Sequence, residues 1–211
     1  MIPEQKDMWD RKHAEGQHDF FAGEPSELAT KAVSYMHDEG SVLELGCGNG
    51  RDARFYASKG YTVIATDLSD VAIRKCVEAN TLPTLEFRVL DIRNKLPFES
   101  ESFDGVSSML ALHYYSDEVT KEVFDEIYRV LKSGGVFAFS CKSRDEKRTN
   151  DATEIEPNIF VDKGGHVLHL FSKEYVLELL GDRFEVIQLD EKEAFYTNRY
   201  STEVQCIARK I

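Results

Sequence analysis

Val42-Leu43-Glu44-Leu45-Gly46-Cys47-Gly48-Asn49-Gly50 is the stretch on which the reading of the fold turns. Apolar residues lead into an acid, then glycine alternates at 46, 48 and 50 before a helical pattern opens at Arg51. That pattern predicts a buried strand feeding a glycine turn at a helix N-terminus. Glycine there permits positive φ and lets a ligand approach where a Cβ would collide, and the turn's free amides would face the bound group. A second apolar run, Tyr61 to Thr66, ends on Asp67. A carboxylate at the tip of the second strand of a β-α-β unit is placed to accept the hydroxyls of a ribose. The unit reads as a cradle for a nucleoside cofactor.

Details of the turn narrow the cofactor. The dinucleotide pattern G-x-G-x-x-G would need glycine at 51, where Arg51 stands. Glu44 would repel a diphosphate and suits a cation. A nucleoside that carries positive charge and no phosphates describes S-adenosylmethionine.

The run Glu44-Leu45-Gly46-Cys47-Gly48-Asn49-Gly50 resembles the first motif, E/D-x-G-x-G-x-G, of the class I S-adenosylmethionine-dependent methyltransferases, and the resemblance extends to the terminal strand. The segment WDRKHAEGQHDFFAGEPSEL, opening at Trp9, is similar to the N-terminal segment of the thiopurine and tellurite-resistance methyltransferases. In those a tryptophan, a basic residue and an aromatic close over the cofactor; Lys12-His13 replaces the frequent Arg-Tyr. The resemblance implies that Trp9, Glu44, Gly46, Cys47, Gly48, Gly50 and Leu110 contact the cofactor. It puts the ribose on Asp67 and the adenine on Asp91 and Ile92, with Leu68 on the other ring face. A surface aspartate in a turn is the plain alternative for Asp91, and simple anchoring of the N-terminal arm the alternative for Trp9.

With 211 residues, 42% of them hydrophobic, and no long apolar run, the chain reads as one domain of a soluble cytoplasmic protein without a signal peptide. The expected division is a cap over 1–40, a cofactor-binding core over 41–141, an insertion or lid over 142–171, and a C-terminal helix and strand pair over 172–211. The net charge of −12 argues against a polyanionic partner. Lys142 to Arg148 is the one short basic run, and acids interrupt it. The Asn/Asp-Pro-Pro-aromatic motif of methyltransferases that act on nucleic-acid bases is missing from Ser107 to Leu110. A small-molecule acceptor follows, with no nucleic acid or membrane partner, in a monomer or homodimer. Cys47, Cys76, Cys141 and Cys206 form no C-x-x-C pair and read as reduced thiols without a metal.

Alternating strands and helices predict a doubly wound α/β sheet. Helices are expected over Glu27 to Asp38, Arg51 to Ser58, Ser69 to about Asn80 with Val71, Ile73 and Val77 available for burial, Ser116 to Gly134-Gly135, and Ser172 to Leu180. Strands are expected over Leu85 to Leu90, Phe103 to Leu110, Val136 to Cys141, Phe184 to Leu189 and Glu203 to Ala208. The resemblance implies seven strands in a Rossmann-like sheet, the last antiparallel and inserted beside the fifth. The long insertion from Lys142 to Phe171 reads as part of a lid or substrate wall. Its His166 and His169 fit extended chain better than a metal site. Phe195 to Tyr200 reads as hairpin packing or a substrate contact.

His113 follows the fourth strand, where open α/β sheets bind ligands, and can serve as general base or as a packing residue. The expected chemistry is in-line methyl transfer to an oxygen, nitrogen, sulfur or other chalcogen nucleophile. A non-catalytic module that binds S-adenosylmethionine and a nicotinamide-dependent oxidoreductase are the other readings of the same β-α-β unit.

Overall fold

The computed structural model describes residues 5–16, 23–145, 152–163, 165–196 and 199–211. Four helices open on a serine whose hydroxyl accepts the amide three residues on: Ser26 before α2 (Glu27–Val33), Ser69 before α4 (Asp70–Ala79), Ser116 before α5 (Asp117–Val130) and Ser172 before α6 (Lys173–Leu180). Each such cap satisfies an amide that the helix cannot and contributes about 1 kcal/mol. The other helices are α1 (Lys6–Ala14) and α3 (Arg51–Ser58), the latter entered through Gly50 at φ 73°.

Seven strands form one sheet: β1 (Ser41–Leu45), β2 (Thr62–Asp67), β3 (Leu85–Val89), β4 (Phe103–Met109), β5 (Leu131–Lys142), β9 (Phe184–Tyr196) and β10 (Arg199–Lys210). Their order is β3-β2-β1-β4-β5-β10-β9. The first five are parallel, and β10 runs antiparallel between β5 and β9. The expected insertion of the last strand beside the fifth is what forms. Because the order reverses at β1, the carboxyl ends of β1 and β4 open a crevice where such sheets take ligands.

The core lies on both faces. Phe124, Ile127, Phe137, Phe139 and Val176 pack under α5 and α6, while Val42, Ala53, Tyr56, Val63 and Ile73 pack under α3 and α4. A smaller group, Leu28, Ala32, Val136, Ala138 and Ile207, holds α2 on that second face. Strands buried on both sides show runs such as Val136 to Cys141 rather than alternation.

Several expected boundaries move. α2 ends at Val33 rather than Asp38, since the chain turns through Glu39 at φ 60° and through Gly40, where a Cβ would lie 2.9 Å from Asp104. α5 ends at Val130, ahead of Gly134-Gly135, because Leu131 is already extended and pairs with Phe103. The register then slips before Gly105 meets Val136, and the two glycines fall in that irregular stretch. Val77 is 54% exposed, and its place in the core is taken by Cys76, on the helix face with Ala72 and Ile73. β9 and β10 run well beyond the strands expected from hydrophobic pattern.

The insertion carries a second, three-stranded antiparallel sheet of β6 (Thr153–Glu156), β7 (Ile159–Val161) and β8 (Val167–His169). It is tied to β5 where the Phe171 amide donates to the Lys142 carbonyl, 2.8 Å, and the Arg144 amide to the Phe171 carbonyl, 3.0 Å. His166 pairs with Asp162, while His169 is buried against Phe171 and Tyr175. Residues 17–21, the side chains of 195–200 and Arg148 fall outside the described residues.

Candidate functional site

The glycine turn follows β1 directly. Gly46 adopts φ 74°, and a Cβ there would lie 2.2 Å from that of Ala111, so the turn closes onto the carboxyl end of β4. The amides of Gly46 and Cys47 both donate to the Thr66 carbonyl at 2.8 Å. The Gly48 amide donates to Asp67 Oδ2 at 2.8 Å, and that of Gly50 to the Cys47 carbonyl at 2.8 Å. The expectation that the turn's amides face the ligand is therefore corrected for these four. Protein acceptors already take them, because the turn is braced against the end of β2. Such a turn is poorly suited to a phosphate, which needs donors.

Asp67 ends β2. Its Oδ1 accepts the Ser69 amide at 2.9 Å, and burial pushes its carboxyl upward against the opposing effect of the two amides. Glu44 is 2% exposed, and its Oε2 has no hydrogen-bond partner among the described residues. Burial, reinforced by Asp52, drives that carboxyl well above the usual range. An orphaned buried acceptor beside the turn suits an ammonium or another donor, and an adjacent cation would restore its charge.

α1 covers this crevice. Asp10 accepts from the Ser69 hydroxyl at 2.6 Å, Lys6 bonds both Asp10 and Asp70, and Lys75 donates to the His13 carbonyl at 2.6 Å. Trp9 meets Tyr114 edge-on at 5.0 Å between ring centroids, Lys12 lies 4.6 Å over the indole, and Gln5 donates to the Tyr114 carbonyl. Beneath α1 lies a cleft of about 230 Å³ bordered by Trp9, Leu68, Arg93, Tyr114, Tyr115 and Val119. Its lining is mostly apolar and includes three aromatic rings, as suits a planar base.

The structure thus brings Trp9 and Leu68 together with the glycine turn and Asp67. Asp91 stands nearby with its carboxylate held by the Arg93 amide at 3.0 Å and by the guanidinium at 2.6 Å. Burial would raise it, but these bonds keep it below the usual carboxylate range. Ile92 is 5% exposed in the core under α5. Leu110 sits at the tip of β4 with φ 56°, an uncommon conformation for leucine, its amide donating to the Ser140 carbonyl. Cys47 is buried, and the Cys76 thiol donates to the Gly48 carbonyl at 3.4 Å, below the turn rather than in the cleft. His113 is fully buried, its ring 4.2 Å from that of Tyr114, which stands with Tyr115 on the cleft wall. Arg93, Gln5 and Asp10 escaped the sequence reading. Arg93 had a signal in its position two residues beyond Asp91, whereas Gln5 and Asp10 had none.

Residues 42–135 match the family described as a methyltransferase domain. The match covers less than half of the chain. It takes in the glycine turn, Asp67, Asp91 and the whole of α5. A probable phthiotriol/phenolphthiotriol dimycocerosates methyltransferase 2 of Mycobacterium ulcerans is 40% identical over 104 residues, which is 47% of this chain and 38% of that protein. The malonyl-[acyl-carrier protein] O-methyltransferase of Salmonella typhimurium is 34% identical over 100 residues, again 47% of this chain and 38% of that protein. The chain therefore spans about two fifths of the length of these curated relatives. A solved SAM-dependent methyltransferase from Methanosarcina mazei superposes with a TM-score of 0.74 at 26% identity, over 85% of this chain and 96% of that one. In its matched segment and in its fold the chain is thus similar to S-adenosylmethionine-dependent methyltransferases.

Proposed function

We propose that this chain transfers the methyl group of S-adenosylmethionine to a small-molecule acceptor by in-line displacement. The observation that carries the reading is Asp67, fixed at the tip of β2 by the Gly48 amide at 2.8 Å, with a mostly apolar cleft beginning at the adjacent Leu68 and no phosphate-binding array of free amides at Gly46, Cys47, Gly48 or Gly50. Asp67 would take the ribose hydroxyls and Glu44 the donor end of the methionine portion. The base would lie in the cleft against Leu68, with Asp91 and Arg93 at its edge and Ile92 behind them in the core. The turn at Gly46, Cys47, Gly48 and Gly50 shapes the floor, and Leu110 the wall toward the acceptor. When bound, the cofactor supplies a methyl group activated by its sulfonium.

The chain's own part is to orient and to exclude water. Trp9, on a helix tied to α4 through Asp10 and Lys75, would cover the bound cofactor. Tyr114 and Tyr115 offer ring faces that stabilise positive charge. A base at His113 would require Tyr114 to move, so the arrangement favours acceptors ionised near neutral pH: a thiolate, a carboxylate or another chalcogen anion. His113 is reserved for alcohols and amines. The net charge of −12 and the relatives' lipid and acyl substrates support an acceptor other than nucleic acid. A cytoplasmic monomer or homodimer is our reading from the sequence; among the described residues no helix is long and apolar enough to cross a membrane.

The test is transfer of label from methyl-labelled S-adenosylmethionine to a panel of thiols, carboxylic acids, phenols, amines and inorganic chalcogen anions. Turnover on a soft or anionic acceptor is expected. Tight cofactor binding with no turnover across the panel would favour a non-catalytic binding module.

A further inference from the structure

The face of the sheet that α2 covers changes character toward the carboxyl end of β5. Under α2 it is apolar, with Val136, Ala138 and Ile207. One and two steps further along, the side chains pointing the same way are Ser140 and Lys142 on β5, paired in register with Gln205 and Glu203 on β10. Side chains alternate strictly along a strand, so these four share one face. Lys142, Glu203 and Gln205 are 4%, 0% and 3% exposed. A buried polar set of this kind is costly unless every acceptor is satisfied, and here two are not. Glu203 Oε1 and Gln205 Oε1 have no hydrogen-bond partner among the described residues.

The surroundings define what could satisfy them. Lys142 Nζ stands 3.6 Å from Glu203 Oε1, an ion-pair distance beyond a hydrogen bond, and bonds the Ser201 hydroxyl. The Gln205 amide nitrogen donates to Glu203 Oε2 at 3.4 Å, which leaves the buried amide oxygen as the open acceptor. The carboxylate charge is thus already offset by Lys142, and what remains open is a pair of acceptors without net charge. A cation would meet Lys142, and an anion would meet Glu203. A neutral N–H or O–H donor suits both oxygens at once.

We propose that Glu203 and Gln205 form a recognition site for a neutral hydrogen-bond-donating group of the methyl acceptor, such as an amide, an aromatic amine or a hydroxyl. This rests on the methyltransferase reading above. Gln205 pairs with Ser140, which pairs with Met109 on β4. Two strand spacings put the site about 10 Å from the tip of β4. That span lets the site hold one end of a small acceptor while its nucleophile lies at the crevice beside Leu110. The Ser140 hydroxyl, which also reaches Met109, connects the two places.

The experiment uses five probes with one ring and different head groups: benzamide, benzyl alcohol, toluene, benzoate and benzylammonium. Each is titrated into the full chain by ligand-observed NMR, with and without S-adenosylhomocysteine. Benzamide is expected to bind about tenfold more tightly than toluene, the size of one well-made hydrogen bond, and ahead of both charged probes. Gln205→Met, nearly isosteric and lacking the acceptor, should erase that preference. Gln205→Glu should redirect it to benzylammonium, which a purely structural role for Gln205 would not do. Melting temperatures of both variants establish that they fold. No head-group preference in the unaltered chain, or one that survives in Gln205→Met, overturns the site and leaves the buried oxygens to water. Calorimetry with S-adenosylhomocysteine on the same samples separates this from the cofactor reading. Failure there with the benzamide preference intact would sink the methyltransferase reading and spare the site.

Discussion

The Gly48 amide donates to Asp67 Oδ2 at 2.8 Å, so the residue proposed to hold the ribose also holds the turn proposed to frame the rest of the cofactor. On that proposal, binding and local structure are coupled at this point. Burial raises the Asp67 carboxyl, and protonation would remove the charge that a ribose hydroxyl requires. Cofactor affinity should therefore be full at neutral pH and begin to fall, as pH is lowered, above the usual aspartate range. Calorimetric titrations from neutral to mildly acidic pH would display it; an affinity flat down to ordinary carboxylate pH would place the ribose on another group.

The three glycines of the turn should differ in tolerance. Gly46→Ala brings a Cβ to 2.2 Å from Ala111 and Gly50→Ala one to 2.7 Å from Phe87, whereas at Gly48 the nearest atom is His13 Cε1 at 3.8 Å. All three have positive φ, so Gly48→Ala should cost about 1 kcal/mol of strain and the other two roughly 1 to 3 kcal/mol more from overpacking. Denaturant unfolding of the three variants gives the order directly. Equal losses would mean that backbone strain, not contact, decides.

Asp10 fastens α1 to α4 through the Ser69 hydroxyl at 2.6 Å and the Val71 amide at 3.3 Å. Asp10→Ala should loosen the helix by about 1 kcal/mol and speed cofactor release severalfold while leaving global stability nearly unchanged. Amide exchange in α1, followed with stopped-flow dissociation of S-adenosylhomocysteine, reads both effects. Unchanged release despite faster exchange would show that α1 does not gate the cleft.

His169 supplies a pH-dependent stability. Burial lowers its pKa from 6.5 to about 4, against the opposing effect of Asp117. The unfolded chain then binds the proton first as pH falls. Stability is full above about 6.5 and is lost progressively toward 4, by up to about 3 kcal/mol. His169→Gln should flatten this part of the profile in urea titrations between pH 7.5 and 4.5, and a retained slope would assign it to other groups.

The sheet was legible because its signals are local: serine caps, glycine stops and apolar runs near the strand lengths observed. Asp67 was legible for the same reason, since the end of β2 follows from chain pattern alone. Failures fall where partners distant in sequence decide. Gly134-Gly135 look like a helix stop, but pairing of Leu131 with Phe103 ends the helix first. Cys76 displaces Val77 from the core because α4 buries the face that carries Ala72, Ile73 and Cys76, a choice set by packing on the sheet and invisible in the sequence. His113 stands at the carboxyl end of β4 in sequence, yet the turn after Leu110 directs its ring inward and gives the cleft wall to Tyr114 and Tyr115. The sheet of the insertion escaped because its strands are short and mostly exposed on β6.

The central claim is that Asp67 and the glycine turn hold S-adenosylmethionine. Isothermal titration of the purified chain with S-adenosylmethionine and S-adenosylhomocysteine, beside Asp67→Ala, tests it most directly. The account predicts saturable binding of both, weakened in the variant by about 1 to 3 kcal/mol for the loss of charge-assisted hydrogen bonds. Binding of neither ligand, with saturable binding of NADH in their place, would contradict it.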